Sequence, residues 1–202
     1  EKAFSKLRIK GFELKIIHWL MPQPAESLEH YAGRMRMGIK EEEPILMGLS
    51  FGGMVCIEIA KQIPVKKIIL ISSIRSAKEL PIWMKTVAAL KLHKVIPLKS
   101  TKLTEPLQNR FLGVTNEEDR TVAANYRRTV DNTYINWAVN QALNWKNNWQ
   151  HPDIYHIHGD DDKIFPIKNI KANYTIKNGG HFMIMNRADE VSNCINHILE
   201  SD

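Results

Sequence analysis

Cysteine is scarce in this chain, and long apolar runs are missing. Its two cysteines, Cys56 and Cys194, cannot build a disulfide framework across 202 residues; each lies in an amphipathic apolar segment, where a free buried thiol is expected. That usage fits a reducing compartment, so a cytoplasmic location is expected. No stretch reaches the ~20 apolar residues of a bilayer span. The longest candidate, residues 65–73, is strand-sized and opens with Lys66-Lys67, which leaves no membrane span to expect. Charge of one sign is not massed either: 28 basic and 22 acidic residues give a net +6, scattered as single Lys and Arg side chains. That pattern reads as a solvated surface rather than a nucleic-acid stripe, and no nucleic-acid partner is expected. With 10 Gly, 9 Pro and no repeat or low-complexity tract, collagen-like and disordered classes drop out. An initiator methionine and an apolar signal core are both absent from Glu1-Lys2-Ala3-Phe4, and the expectation is an interior stretch of a longer gene product or a processed end. What is present, 44% apolar and 25% charged residues, is the composition of one globular domain long enough to bury a core unaided.

Hydrophobic periodicity divides the chain. A short β-leaning run over 14–17 ends at His18-Trp19, and Pro22-Gln23-Pro24 makes the following stretch a connection. From 25 to 40 apolar residues recur at Leu28, Tyr31, Ala32, Met35 and Ile39, the spacing of one helical face. Pro44 restarts the chain, and 45–49 is a continuous apolar run, as in a strand covered on both faces. A helix over 52–62 and a second buried run over 68–71 complete strand, helix, strand, which implies a parallel sheet. Residues 76–150 change character: Trp83, Trp137, Trp145 and Trp149 lie there, the period is helical and no buried-strand run occurs. Strand character returns over 154–158 and 172–176, and 190–199 closes as a helix with Val191, Cys194, Ile195 and Ile198 on one face. The expected fold class is α/β: a mostly parallel sheet flanked by helices, formed by 1–75 and 151–202, with 76–150 inserted as an all-helical segment. The sequence leaves the oligomeric state open.

Gly48-Leu49-Ser50-Phe51-Gly52 matches G-x-S-x-G. Its letters alone would suit a Gly-rich turn capping a helix with serine. Its position, between a buried strand and a helix, is that of a nucleophile elbow, whose strained turn needs glycine on either side of the serine. Such a turn exposes the Ser50 hydroxyl and puts the Phe51 backbone N–H beside it, at a helix N-terminus that favours developing negative charge. A serine hydroxyl needs a base and an orienting carboxylate. His158-Gly159-Asp160-Asp161-Asp162 places carboxylates directly after a strand, and Asn178-Gly179-Gly180-His181 places a histidine after the next one. Both would stand at the carboxyl edge of the sheet, where α/β folds bind ligands.

At these residues the chain resembles an α/β-hydrolase from Ile45 to its C-terminus. G-L-S-F-G-G matches the family's elbow, H-G-D-x-D-x-x-x-P over 158–166 its acid loop, and G-G-H over 179–181 its histidine loop. The resemblance implies that the orienting acid is Asp162, with Asp160 supporting the loop, and that 76–150 is a cap that covers the pocket and selects the substrate. It also implies a second oxyanion donor, from a Gly-rich loop after a central strand. No such loop precedes Gly11, and the strand it would follow belongs between the run at 14–17 and that at 45–49. The expectation is therefore an N-terminally truncated sequence, or a rearranged sheet.

His156-Ile157-His158 with Asp160 is similar to the H-x-H-x-D-H metal motif, but Asp161 stands where the last histidine belongs, so these are read as polar residues lining the strand end. No metal or cofactor is expected. His18, His30, His93, His151 and His197 belong to no pattern and are read as surface or capping residues. The tryptophans of 76–150 and Met183-Ile184-Met185 could line an acyl pocket or belong to the core. The expected function is hydrolysis of a small carboxylic ester or thioester through an acyl-enzyme, with Ser50 as nucleophile, His181 as base, Asp162 as orienting acid and the Phe51 N–H as oxyanion donor. A non-catalytic or ligand-binding member of the same fold, and an acyltransferase or C–C bond hydrolase using the same residues, remain as alternatives.

Overall fold

A computed structural model describes residues 2–92 and 104–201; His93 lies outside them. Four strands, β1 (Ile45–Leu49), β2 (Lys67–Ile71), β3 (Ile154–Gly159) and β4 (Tyr174–Ile176), form one parallel sheet in the order β1-β2-β3-β4. Leu49 pairs with Ile71, Ile71 with Ile157, and Ile157 with Tyr174. That register brings the ends of all four strands to one edge, from which the loops after β1, β3 and β4 emerge together. β2 is buried at all five positions because each face carries its own apolar layer. On one face Ile68, Leu70 and Ile154 pack with residues of α1 (Leu28–Met35) and α2 (Phe51–Ala60). On the other, Ile69, Ile71 and Ile157 meet α7 (Met183–Asn186) and α8 (Ala188–Glu200), the latter through Val191, Ile195 and Ile198. Met183, Ile184 and Met185 are buried in this second layer, and so are core rather than pocket lining.

Between β2 and β3 the described residues contribute a 3-10 turn at Ala77–Glu79, four α-helices and no strand: α3 (Ile82–Ala89), α4 (Glu105–Leu112), α5 (Glu117–Thr129) and α6 (Asn132–Asn144). Their ends follow from local chemistry. Asn116 and Asp131 cap α5 and α6 by accepting main-chain N–H groups, and Gly113 ends α4 in the left-handed region at φ 69°, which costs glycine little. Two of the tryptophans tie this segment to the sheet layer. Trp137 Nε1–H donates to the Glu26 carbonyl at 2.8 Å and Trp145 Nε1–H to Glu58 Oε1 at 2.7 Å.

Two expectations require correction. The run at 14–17 is not a strand: residues 12–21 follow an irregular path, with Leu14 and Ile17 39% and 36% exposed. Among the described residues no strand lies beside it to complete a ladder, and β propensity without a partner does not make a strand. The sheet accordingly has no central gap, and β1 forms one of its edges. The helix expected over 25–40 is shorter; α1 starts after Ser27, whose Oγ accepts the His30 N–H at 3.2 Å, and gives way to a 3-10 turn at Arg36–Gly38. Ile39 still packs on the core, but from extended chain.

Cys56 is buried and Cys194 half-buried, both as free thiols, and burial pushes the Cys56 thiol up to about 12. His30 is at the surface, and its Nδ1 lies 2.8 Å from Glu26 Oε1. No helix among the described residues is long and apolar enough to cross a membrane.

Candidate active site

Ser50 closes β1 and opens α2, at φ 53° and ψ −121°. Positive φ in a non-glycine residue costs on the order of 1–3 kcal/mol and persists only where the surroundings determine it. Here the determinants are visible. Ser50 N–H donates to Ile71 O at 2.9 Å, and its carbonyl accepts the Gly53 N–H at 3.0 Å and the Ser73 Oγ–H at 2.6 Å. The turn is so tight that a Cβ on Gly48 would sit 2.4 Å from the Gly52 carbonyl. Phe51 takes the first helical position, whose N–H has no acceptor within the helix.

His181 arrives from the loop after β4 and is almost fully buried. Its Nδ1 is 2.8 Å from Asp162 Oδ2 and its Nε2 is 2.9 Å from Ser50 Oγ. An ionised carboxylate only accepts, so Nδ1 carries the proton and Nε2 is left to accept from the serine hydroxyl. Asp162 lies in the loop after β3, where its Oδ1 accepts the N–H groups of Ile164 and Phe165 at 2.8 and 2.9 Å. Burial alone would raise its carboxyl, but the electrostatic pull and hydrogen bond of His181, with help from His158 and the Phe165 N–H, hold it below the usual carboxylate value. Asp160 is exposed and does not face His181; its Oδ1 accepts the Asn178 N–H at 2.6 Å and so joins the acid loop to the histidine loop.

Residues from three strand ends, 112 and 19 positions apart in sequence, are thus hydrogen-bonded in series. The sequence motifs located all three. They did not reveal Ser73, which holds the elbow, nor the contact between α4 and the histidine loop. The doublet Ser72-Ser73 directly after a buried strand was the one available signal for the former. Among the described residues no three His, Cys, Asp or Glu side chains are grouped to hold a metal ion.

The sequence pattern of the Alpha/beta hydrolase family matches residues 20–193. The chain belongs to this family. No curated protein sequence matches it, but solved structures of alpha/beta hydrolase fold share its architecture. A bromoperoxidase from Bacillus anthracis is 14% identical with a TM-score of 0.61, covering 89% of this chain and 77% of its own. An esterase from Exiguobacterium antarcticum is 13% identical with a TM-score of 0.63, covering 88% and 76%. A meta-cleavage product hydrolase is 15% identical with a TM-score of 0.58, covering 88% and 73%. At such identities the likeness is one of fold.

In this alpha/beta hydrolase the residue after Ser50 opens onto an aromatic wall. The Phe51 ring meets Trp137 edge-on at 5.7 Å and Trp19 at 6.1 Å, and Tyr134 stands 5.7 Å from Trp19 and 6.1 Å from Trp137. Trp19 is 45% exposed and lies against the first turn of α2, 3.7 Å from where a Gly52 Cβ would be. Tyr31, fully buried behind Trp137 at 4.4 Å, fixes the wall to α1.

Proposed function

We propose that this alpha/beta hydrolase is a serine hydrolase that cleaves a small carboxylic ester or thioester through an acyl-enzyme. The observation that carries the reading is the series Ser50 Oγ, His181 Nε2, His181 Nδ1, Asp162 Oδ2, with separations of 2.9 and 2.8 Å. Ser50 Oγ attacks the substrate carbonyl carbon while its proton passes to His181 Nε2. The oxygen that gains charge lies towards the Phe51 N–H at the start of α2, where main-chain dipoles favour an anion. Collapse of the tetrahedral species breaks the bond to the alcohol or thiol, which leaves with the proton from His181 Nε2. A water then repeats the sequence on the acyl group, releasing the acid and restoring Ser50. Throughout, Asp162 keeps the imidazole in the Nδ1–H tautomer and offsets its charge while it holds both protons.

The same reading divides the chain into a hydrolase core, 1–75 and 151–202, and a helical cap, 76–150. Trp137 and Tyr134 of α6 supply apolar surface beside Phe51, which suits the hydrocarbon part of an ester or thioester. A fluorophosphonate probe and p-nitrophenyl esters of short and medium chain test the proposal. Labelling and turnover are expected in the wild type and lost in Ser50→Ala. Labelling that persists in that variant, at another serine, would displace the nucleophile and overturn the mechanism.

A further inference from the structure

β3 carries two histidines that the proposed hydrolysis does not use. His156 and His158 are both fully buried, and as alternate residues of a strand they project from one face. Their rings meet edge to face, 5.0 Å between centroids. His158 Nε2 lies 2.8 Å from the Phe165 carbonyl and 3.5 Å from Asp162 Oδ2. Both neighbours are acceptors, so Nε2 bears the proton. His158 Nδ1 is then free to accept from His156 Nε2–H, at 3.1 Å. The acceptors at Nε2 thus fix the tautomer of His158, which fixes that of His156, and the series ends on the carboxylate that holds His181.

We propose that His158 is a positioning residue for Asp162, with its tautomer set by Phe165 O and in turn setting that of His156: the Nε2–H donates to Phe165 O beside Asp162 Oδ2, anchoring the acid loop to β3 and presenting Oδ2 to His181 in one orientation. The inference rests on the reading of Asp162 as the partner of His181. The groups that face His158 are His156 on its own strand, Asp162 in the acid loop and His181 beyond it; Arg75, from the segment after β2, faces His156. Burial, before any neighbouring charge, holds both rings below the ordinary histidine value. A neutral N–H donor orients a carboxylate without cancelling its charge, which leaves that charge to answer to His181.

Two readouts test the inference. Isotope-labelled histidine, observed by long-range proton–nitrogen NMR around neutral pH, reports tautomers without any turnover. The expected result is Nε2–H at both His156 and His158; Nδ1–H at His158 overturns the inference. The second readout is the pH profile of fluorophosphonate labelling at Ser50. His158→Leu removes the donor, so Asp162 becomes a stronger partner for a protonated imidazole, and the acid limb moves up by about one pH unit while the rate falls about tenfold. His158→Gln restores an N–H of similar reach and is expected to recover the limb and most of the rate. An acid limb that stays in place in His158→Leu, with only the melting temperature lowered, reduces His158 to a core residue and sinks the proposal. If His158→Leu fails to fold, His156→Leu serves: the acceptors at Nε2 are untouched, so His158 is expected to keep its Nε2–H tautomer, and Nδ1–H there overturns the inference. If the wild type is never labelled at Ser50, the hydrolytic reading fails, and the tautomers alone decide the positioning role.

Discussion

Gly113 and Gly180 meet main chain to main chain: a Cβ on either glycine would sit 2.8 Å from the other's Cα. The C-terminus of α4 therefore rests directly on the loop that carries His181. Its last carbonyls, which an isolated helix would leave unpaired, accept from that loop and from α7 behind it. Phe182 N–H donates to Leu112 O at 2.8 Å and Asn186 Nδ2 to Gly113 O at 3.0 Å.

Gly180→Ala tests this contact. The added methyl has only backbone to displace, so the histidine loop or α4 must shift, at a cost of about 1–3 kcal/mol. The expected outcome is a lower melting temperature together with at least tenfold slower fluorophosphonate labelling, since His181 follows Gly180. Unchanged labelling would mean that the loop holds its place without α4.

The two aspartates of the acid loop separate by kind of effect. Asp162→Asn cannot hold His181 in the Nδ1–H tautomer and is expected to lower kcat by roughly 10⁴, with the melting temperature nearly kept. Asp160→Ala loses the bond to the Asn178 N–H and is expected to cost ~1 kcal/mol, or roughly 2–4 °C in melting temperature, with kcat within about tenfold. Ester turnover and thermal melts check both, and the reverse pattern would transfer the orienting role to Asp160.

Ser73→Ala removes the hydroxyl that holds the Ser50 carbonyl. A loss of about 1 kcal/mol in stability is expected, accompanied by slower labelling at Ser50, because the positive φ of the elbow loses one of its determinants. A variant that is less stable but labels at the full rate would show that Ile71 O and the Gly53 N–H suffice to hold the turn.

Glu26 links stability to acid. Two 2.7 Å bonds from Arg34, aided by the Gln23 N–H and His30, outweigh its burial and bring its carboxyl from 4.5 to about 2. A carboxylate depressed on folding stabilises above its unfolded value, so its contribution, roughly 2–3 kcal/mol, is complete above about pH 4.5 and disappears as pH falls towards 2. Urea denaturation across that window should show the loss, and Glu26→Gln should flatten it.

Much of this was legible in the sequence because it depends on local pattern. Ile45–Leu49, Ile68-Ile69-Leu70-Ile71 and the Ile154 run read as buried strands, the G-x-S-x-G and G-G-H patterns pointed to Ser50 and His181, and the resemblance to the family singled out Asp162 from the carboxylates of the acid loop. What stayed hidden depends on who lies next to whom. Leu14 to Ile17 has the composition of a strand but no neighbour to pair with. Glu26 reads as an ordinary acidic residue ahead of a helix, and its burial follows only from Arg34 folding back and Trp137 closing over it. His156 and His158 carried an ambiguous metal-like pattern until the position of Phe165 O and Asp162 Oδ2 gave their rings a direction.

Among the described residues, the strand that bears Ser50 is paired on one side only. The bonds Ser50 N–H to Ile71 O and Lys66 N–H to Pro44 O fix the alternation of the ladder, and it turns the main-chain groups of Ile45, Met47 and Leu49 to the open side. Those three amides lack the protection of β2 and β3, so in deuterium exchange they are expected to take up label before the amides of those interior strands. Ser50 thus follows one edge strand and His181 the other, β4, while Asp162 follows the interior strand β3. Local fraying at β1 would draw Ser50 away from His181 well before the protein unfolds, making loss of reactivity an earlier signal of damage than any loss of helix.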